Sequence, residues 1–112
     1  MAGKSAPYTC SNLSNGVGLF LLCEVALGKM RELHDTDHDA DDNLPKNCSS
    51  TRGIGRVQPD PASQKTIDKD LKVPLGKVIP NPDKKAHRGA NEFIVYNVDQ
   101  VRMRYLVKVK IN

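Results

Sequence analysis

Asn91-Glu92-Phe93-Ile94-Val95-Tyr96 is the stretch that decides how this chain is read. Four consecutive apolar or aromatic residues predict a short strand, entered through a single carboxylate. A carboxylate at the mouth of a rigid strand, with the loop end facing solvent, is well placed for chemistry. Asn81 to Arg88 before it is a turn-rich basic loop, and Asn97-Val98-Asp99-Gln100 after it is a short connection.

Downstream, Val101 to Ile111 alternates cleanly. Val101, Met103, Tyr105, Val107, Val109 and Ile111 fall on one face, with Arg102, Arg104, Lys108 and Lys110 on the other. The basic stripe invites a nucleic-acid reading, yet no aromatics stand among the cations to stack on bases, and a solvated strand face is the ordinary meaning of such a pattern.

Upstream, Thr66-Ile67, Leu71-Lys72-Val73 and Val78-Ile79 are short alternating pieces broken by Pro74-Leu75-Gly76, which predicts a ragged hairpin or edge strand. Pro59-Asp60-Pro61 forces an extended corner. Ser50 to Arg56 holds a lone Gly-x-Gly between two arginines. It lacks the third glycine and the strand-turn-helix setting of a dinucleotide fingerprint. An ordinary glycine turn is expected there, a basic lid over an anion being the alternative.

Residues 34–50 form a polar, acidic loop. Asp35, Asp37 and Asp39 imitate the opening of a calcium loop, but Ala40 stands where a glycine is needed and Lys46 where a bidentate Glu belongs. His34 and His38 would need a distant third ligand. The expectation is a solvated loop and no metal. Gly18 to Gly28 is apolar on both alternating faces and predicts a central strand covered on both sides, with Glu24 needing a basic or backbone partner if it points inward. Asn15-Gly16 is a turn signal, and residues 4–8 allow a short helix with Pro7 in its first turn.

Composition bounds the rest. The chain has 112 residues, 38% of them hydrophobic, no Trp and a net charge of +4, room for at most one small domain with a lean core. The longest apolar run, Val17 to Leu27, falls short of the roughly 20 residues of a membrane span and lies too deep for an ordinary leader. Cys10, Cys23 and Cys48 are odd in number and form no Cys-x-x-Cys pair, which suits a reducing compartment. Strands, turns and one short helix predict a β-rich α+β fold.

In order along the chain, Lys4-Ser5-Ala6 with Tyr8, Glu24-Val25-Ala26-Leu27-Gly28, Gly53-Ile54-Gly55, Pro59-Asp60-Pro61, Val73-Pro74-Leu75-Gly76, Asn91 to Tyr96 and Gln100 to Leu106 resemble the C-terminal half of a poly(ADP-ribose) polymerase catalytic domain. Tyr96-Asn97 and Gln100 to Tyr105 look most like the second DNA-damage-dependent member of that family. The resemblance covers almost the whole chain. It implies a partial ADP-ribosyltransferase fold of split antiparallel sheets, with NAD+ as substrate, no metal, protein acceptors and a nuclear, DNA-repair setting. DNA would be contacted only through modules outside these residues.

By the same likeness Glu92 matches the catalytic glutamate, and Lys4 a lysine on the acceptor side of the cleft. Ser5 matches the serine that binds the nicotinamide carboxamide, and Tyr8 the tyrosine that stacks on the ring. The family's His-Gly segment and second tyrosine would lie before Met1. Pro7 stands where the family has Asn, which bears on the turn holding Tyr8; Ala90 and Phe93 stand where it has tyrosines, and losing both hydroxyls bears on chain elongation or branching more than on the first transfer. Residues 1–112 are therefore expected to be the C-terminal portion of the domain, inactive or very weak alone. The apolar run 19–27 would then lack neighbours and leave a sheet edge and an apolar patch exposed. A non-catalytic module binding a protein or polyanion is the alternative.

Overall fold

The computed structural model describes residues 2–86 and 88–111. His87, within the expected basic loop, lies outside them. A short helix α1 (Ala2–Ser5) runs into 3-10 segments at Ala6–Thr9 and Ser11–Ser14. The strands are β1 (Val17–Val25), β2 (Met30–Leu33), β3 (Ser50–Gly53), β4 (Gly55–Pro59) and β5 (Lys65–Ile67). They continue with β6 (Leu71–Val73), β7 (Val78–Pro80), β8 (Arg88–Ala90), β9 (Glu92–Val95) and β10 (Val101–Lys110). This is the expected β-rich α+β class with one short N-terminal helix and split sheets. Two pairings, β2 with β3 and β4 with β8, are parallel, so those sheets are mixed.

The chain divides into two units, one joining the segment up to Ala26 with that from Asn97 onward, the other Leu27–Tyr96. In the first, Pro7 lies at the start of its 3-10 turn, where no amide donor is needed. Asn15 and Gly16 adopt positive φ (52° and 76°) and turn the chain into β1, as the Asn-Gly signal predicts. β1 pairs antiparallel with β10, and the register skips Arg104 between the pairs Leu22–Tyr105 and Cys23–Met103. That extra residue is the one whose Nε lies 3.2 Å from Glu24 Oε2, so Glu24 has the basic partner the sequence asked for.

Two expectations are corrected here. The run 18–28 reads as a central strand, but among the described residues β1 pairs with β10 alone. The alternation of 101–111 is also broken. Consecutive residues of β1 point to opposite faces, so pairing Leu22 with Tyr105 and Cys23 with Met103 sends Tyr105 and Met103 to opposite sides. The ribbon is apolar on both faces, and Leu21, Met103, Tyr105 and Leu106 are each more than half exposed. Such a patch is what the reading of 19–27 without neighbours anticipates.

The second unit holds the sheets β2-β3-β9 and β7-β4-β8 and the hairpin β5-β6. The hairpin and β7 fulfil the ragged-hairpin reading of residues 65–80. The Gly-x-Gly segment is not a turn or a lid: β3 and β4 flank Ile54, which is 2% exposed and donates its amide to Leu33 O at 2.8 Å. Its strand character is hidden in sequence because β3 buries hydroxyls in place of aliphatics. Ser50 Oγ donates to Leu27 O at 2.6 Å, and Thr51 Oγ1 shares a 2.6 Å hydrogen bond with Tyr96 Oη. Buried hydroxyls so matched avoid the penalty of an unpaired polar group.

Candidate active site around Glu92

The residue before Glu92 fixes where the carboxylate stands. Asn91 is 6% exposed, and its Oδ1 accepts the Gly55 amide at 2.8 Å. Its own amide donates to Val57 O at 3.2 Å, and its Nδ2 to Gln58 Oε1 at 3.4 Å. These bonds tie the start of β9 to β4. The approach depends on Gly55, where a Cβ would sit 2.1 Å from the Ala90 carbonyl carbon and 2.5 Å from Asn91 N. Glycine is needed here for close backbone approach.

Glu92 opens β9, half-buried, directly across the ladder from Gly53. Ile94 pairs in turn with Thr51. Residues two apart on a strand share a face, so Glu92, Ile94 and Tyr96 line one side. Together with Gly53 and Thr51 they wall a cavity of about 280 Å³. The loop after β2 contributes Asp35, Asp37, His38 and Asp41 to the same lining. The acidic loop, expected to be merely solvated, thus shares a cavity with Glu92. Clustered carboxylates favour a cationic occupant and disfavour phosphate.

Side-chain contacts hold that loop. Arg31 Nη1 donates to Asp37 Oδ2 at 3.0 Å, while Asn43 and the Asp39 amide also donate to Asp37. Partial desolvation pushes the Asp37 carboxyl up, but the Asn43, Asp39 and Arg31 hydrogen bonds and the Arg31 charge outweigh it and hold it below the ordinary range. His34 Nε2 lies 2.7 Å from Asp83 Oδ2. The His34 hydrogen bond, followed by the Lys85 amide, lowers the Asp83 carboxyl in the same way. Among the described residues no group of three or more His, Cys, Asp or Glu is arranged to hold a metal ion.

The other candidate residues belong to the first unit. Lys4 and Ser5 are exposed residues of α1, and Tyr8 lies in the following 3-10 segment with 83% of its surface exposed. Within the second unit Glu92 shares its cavity with Gly53, Thr51, Ile94, Tyr96 and the acidic loop. Sequence reasoning missed these neighbours. The two-residue spacing of Glu92, Ile94 and Tyr96 was the one signal available for part of the set.

The chain, a β-rich fold of split sheets, belongs to the poly(ADP-ribose) polymerase catalytic-domain family, whose model matches residues 1–111. Over 112 residues it is 49% identical to poly [ADP-ribose] polymerase 2-A of Oryza sativa subsp. japonica and 46% identical to poly [ADP-ribose] polymerase 2 of Arabidopsis thaliana. It is 42% identical over the same length to poly [ADP-ribose] polymerase 1 of Gallus gallus. All of this chain is covered in each case, against 17%, 17% and 11% of those proteins. The chain thus spans about one sixth of the length of the type 2 relatives it matches.

Proposed function

We propose that this chain is the glutamate-bearing, C-terminal portion of an NAD+ ADP-ribosyltransferase domain, which moves ADP-ribose from NAD+ to protein side chains and releases nicotinamide. The observation that supports it most is the placement of Glu92, pinned through Asn91 at the entrance of β9 and facing an acidic cavity. In the reaction the bond between the ribose anomeric carbon and the nicotinamide nitrogen breaks, and its electron pair leaves with nicotinamide. The sugar becomes oxocarbenium-like. Glu92 accepts a hydrogen bond from a ribose hydroxyl and stabilises that positive charge; the acceptor's nucleophile then bonds to the anomeric carbon, and its proton passes to the Glu92 carboxylate and on to solvent. The acidic wall suits the same end of the substrate, since the nicotinamide ring is itself cationic in NAD+.

On this reading Ser5 binds the carboxamide, Tyr8 stacks on the ring and Lys4 lies on the acceptor side. At about 280 Å³ the cavity falls below the range of ordinary small-molecule sites, so it takes one end of a dinucleotide rather than the whole. Family membership supports a nuclear setting and protein acceptors, with DNA contact left to other modules. The test is to express the polypeptide as its gene encodes it and supply labelled NAD+. Protein labelling that disappears in Glu92→Gln supports the reading; labelling that survives the substitution sinks it. Residues 1–112 alone should label negligibly.

The exposed β1–β10 ribbon supports a second reading, a non-catalytic module that docks a protein partner. An unlabelled gene product whose Glu92→Gln variant still captures the same partner would favour it.

A further inference from the structure

Two glycines stand two residues apart beside Glu92, and only one is demanded by packing. Gly55 has no room for a Cβ, as described above. Gly53 has. A Cβ built on it would lie 3.7 Å from Glu92 Cβ and 3.9 Å from Glu92 O, an ordinary contact distance, and its φ is not positive. Neither backbone nor neighbours require glycine at this position. What the glycine does is leave space. It is the direct cross-strand partner of Glu92, and directly opposed side chains on a ladder lie against each other on one face. Any side chain at 53 would therefore extend over Glu92 on the face that the two residues share with Thr51, Ile94 and Tyr96 around the cavity.

We propose that Gly53 is the specificity-determining position of this site. Its missing side chain sets the width of the approach to the Glu92 carboxylate, wide enough for the edge of a five-membered sugar ring carrying hydroxyls rather than for a small linear group alone. The choice of ligand rests on the proposed function, in which Glu92 meets a ribose hydroxyl; the width itself does not.

The experiment measures width without catalysis. Glu92 is coupled through a water-soluble carbodiimide to methylamine or to cyclopentylamine, and the adduct at Glu92 is quantified by peptide mass spectrometry. The wild-type chain is expected to couple both amines. In Gly53→Val the cyclopentylamine adduct should fall at least about tenfold relative to the methylamine adduct, the scale on which a pocket discriminates a bulky group. Gly53→Ala, whose added methyl fits without displacement, should give a smaller fall in the same ratio and decides the matter if the valine variant does not fold. An unchanged ratio in both folded variants, or a wild-type Glu92 closed to cyclopentylamine, overturns the proposal. Because coupling needs no turnover, a shifted ratio alongside an active Glu92→Gln enzyme would overturn the catalytic reading and leave the width assignment standing.

Discussion

Gly55→Ala is the sharpest perturbation available, because a single methyl group collides with backbone at the point that anchors the candidate catalytic residue. The added carbon would start 2.1 Å from the Ala90 carbonyl carbon. Carbon atoms settle at about 3.5–4.0 Å, so β4 and β8 must part locally by more than about 1 Å. The Gly55 amide lies 2.8 Å from Asn91 Oδ1, and such a movement carries it beyond the roughly 3.2 Å limit of a good bond. Overpacking alone costs about 1–3 kcal/mol. An orphaned buried polar group costs a similar amount, about 1–3 kcal/mol, and together a loss of about 2–6 kcal/mol is expected. Urea unfolding followed by tyrosine fluorescence reads it directly, with Tyr96 reporting from the second unit. At a slope of about 2 kcal/mol per molar, the middle of the range for small proteins, the midpoint should drop by about 1–3 M, or the transition should vanish. Gly53→Ala is the internal control and should stay within about 0.5 kcal/mol of wild type. A Gly55→Ala protein as stable as its Gly53→Ala counterpart would show that the strand crossing does not need the glycine.

Asn91→Ala removes the acceptor of the same bond and should cost about 1–3 kcal/mol, checked by the same titration. Thr51→Val and Tyr96→Phe each break the shared hydroxyl bond, and a double-mutant cycle should return a coupling of about 0.5–1.5 kcal/mol; additive losses would mean the pair contributes nothing. The Asp37 and Asp83 carboxyls are lowered in the folded chain, so their contribution is fully present above the unfolded value of about 3.9 and is lost as pH falls through the folded value. Unfolding midpoints should therefore fall in acid below about pH 4, less steeply in Asp37→Asn/Asp83→Asn, and parallel curves would remove these two groups from the account. Because Leu21, Met103, Tyr105 and Leu106 stand exposed, the purified chain should bind a hydrophobic dye strongly. Charged replacements at Leu21 and Leu106 should suppress that signal.

What could be read in advance follows the physics of each element. β9 and β10 announce themselves by apolar residues, the β5–β6 hairpin by alternation between breakers, and the entry into β1 by Asn15-Gly16. β3 stayed hidden because its buried residues, Ser50 and Thr51, are hydroxyls satisfied by partners far along the chain. β8 was lost inside a basic loop because its short ladder to β4 leaves no periodic trace. The bulge at Arg104 leaves no mark in the sequence, because alternation carries no information about the partner strand's register. Glu92 was legible as a carboxylate at a strand mouth. Its cavity was not, since the pairing of Gly53 with Glu92 and the fold-back of the acidic loop join segments tens of residues apart.

The β1–β10 ribbon also dictates an order of events. Its two strands are separated in sequence by the whole of Leu27–Tyr96, yet Ala26 and Gln100 meet through the Ala26 amide to Gln100 O at 2.8 Å and Gln100 Nε2 to Ala26 O at 2.9 Å. Contacts so distant in sequence close slowly, and β1 must wait for β10. During synthesis from the N-terminus, every strand of the Leu27–Tyr96 unit leaves the ribosome before β1 has its mate. For that interval the edge of an apolar nine-residue strand that pairs with β10 stays open. The strands around Glu92, all within Leu27–Tyr96, can pair before that edge is covered.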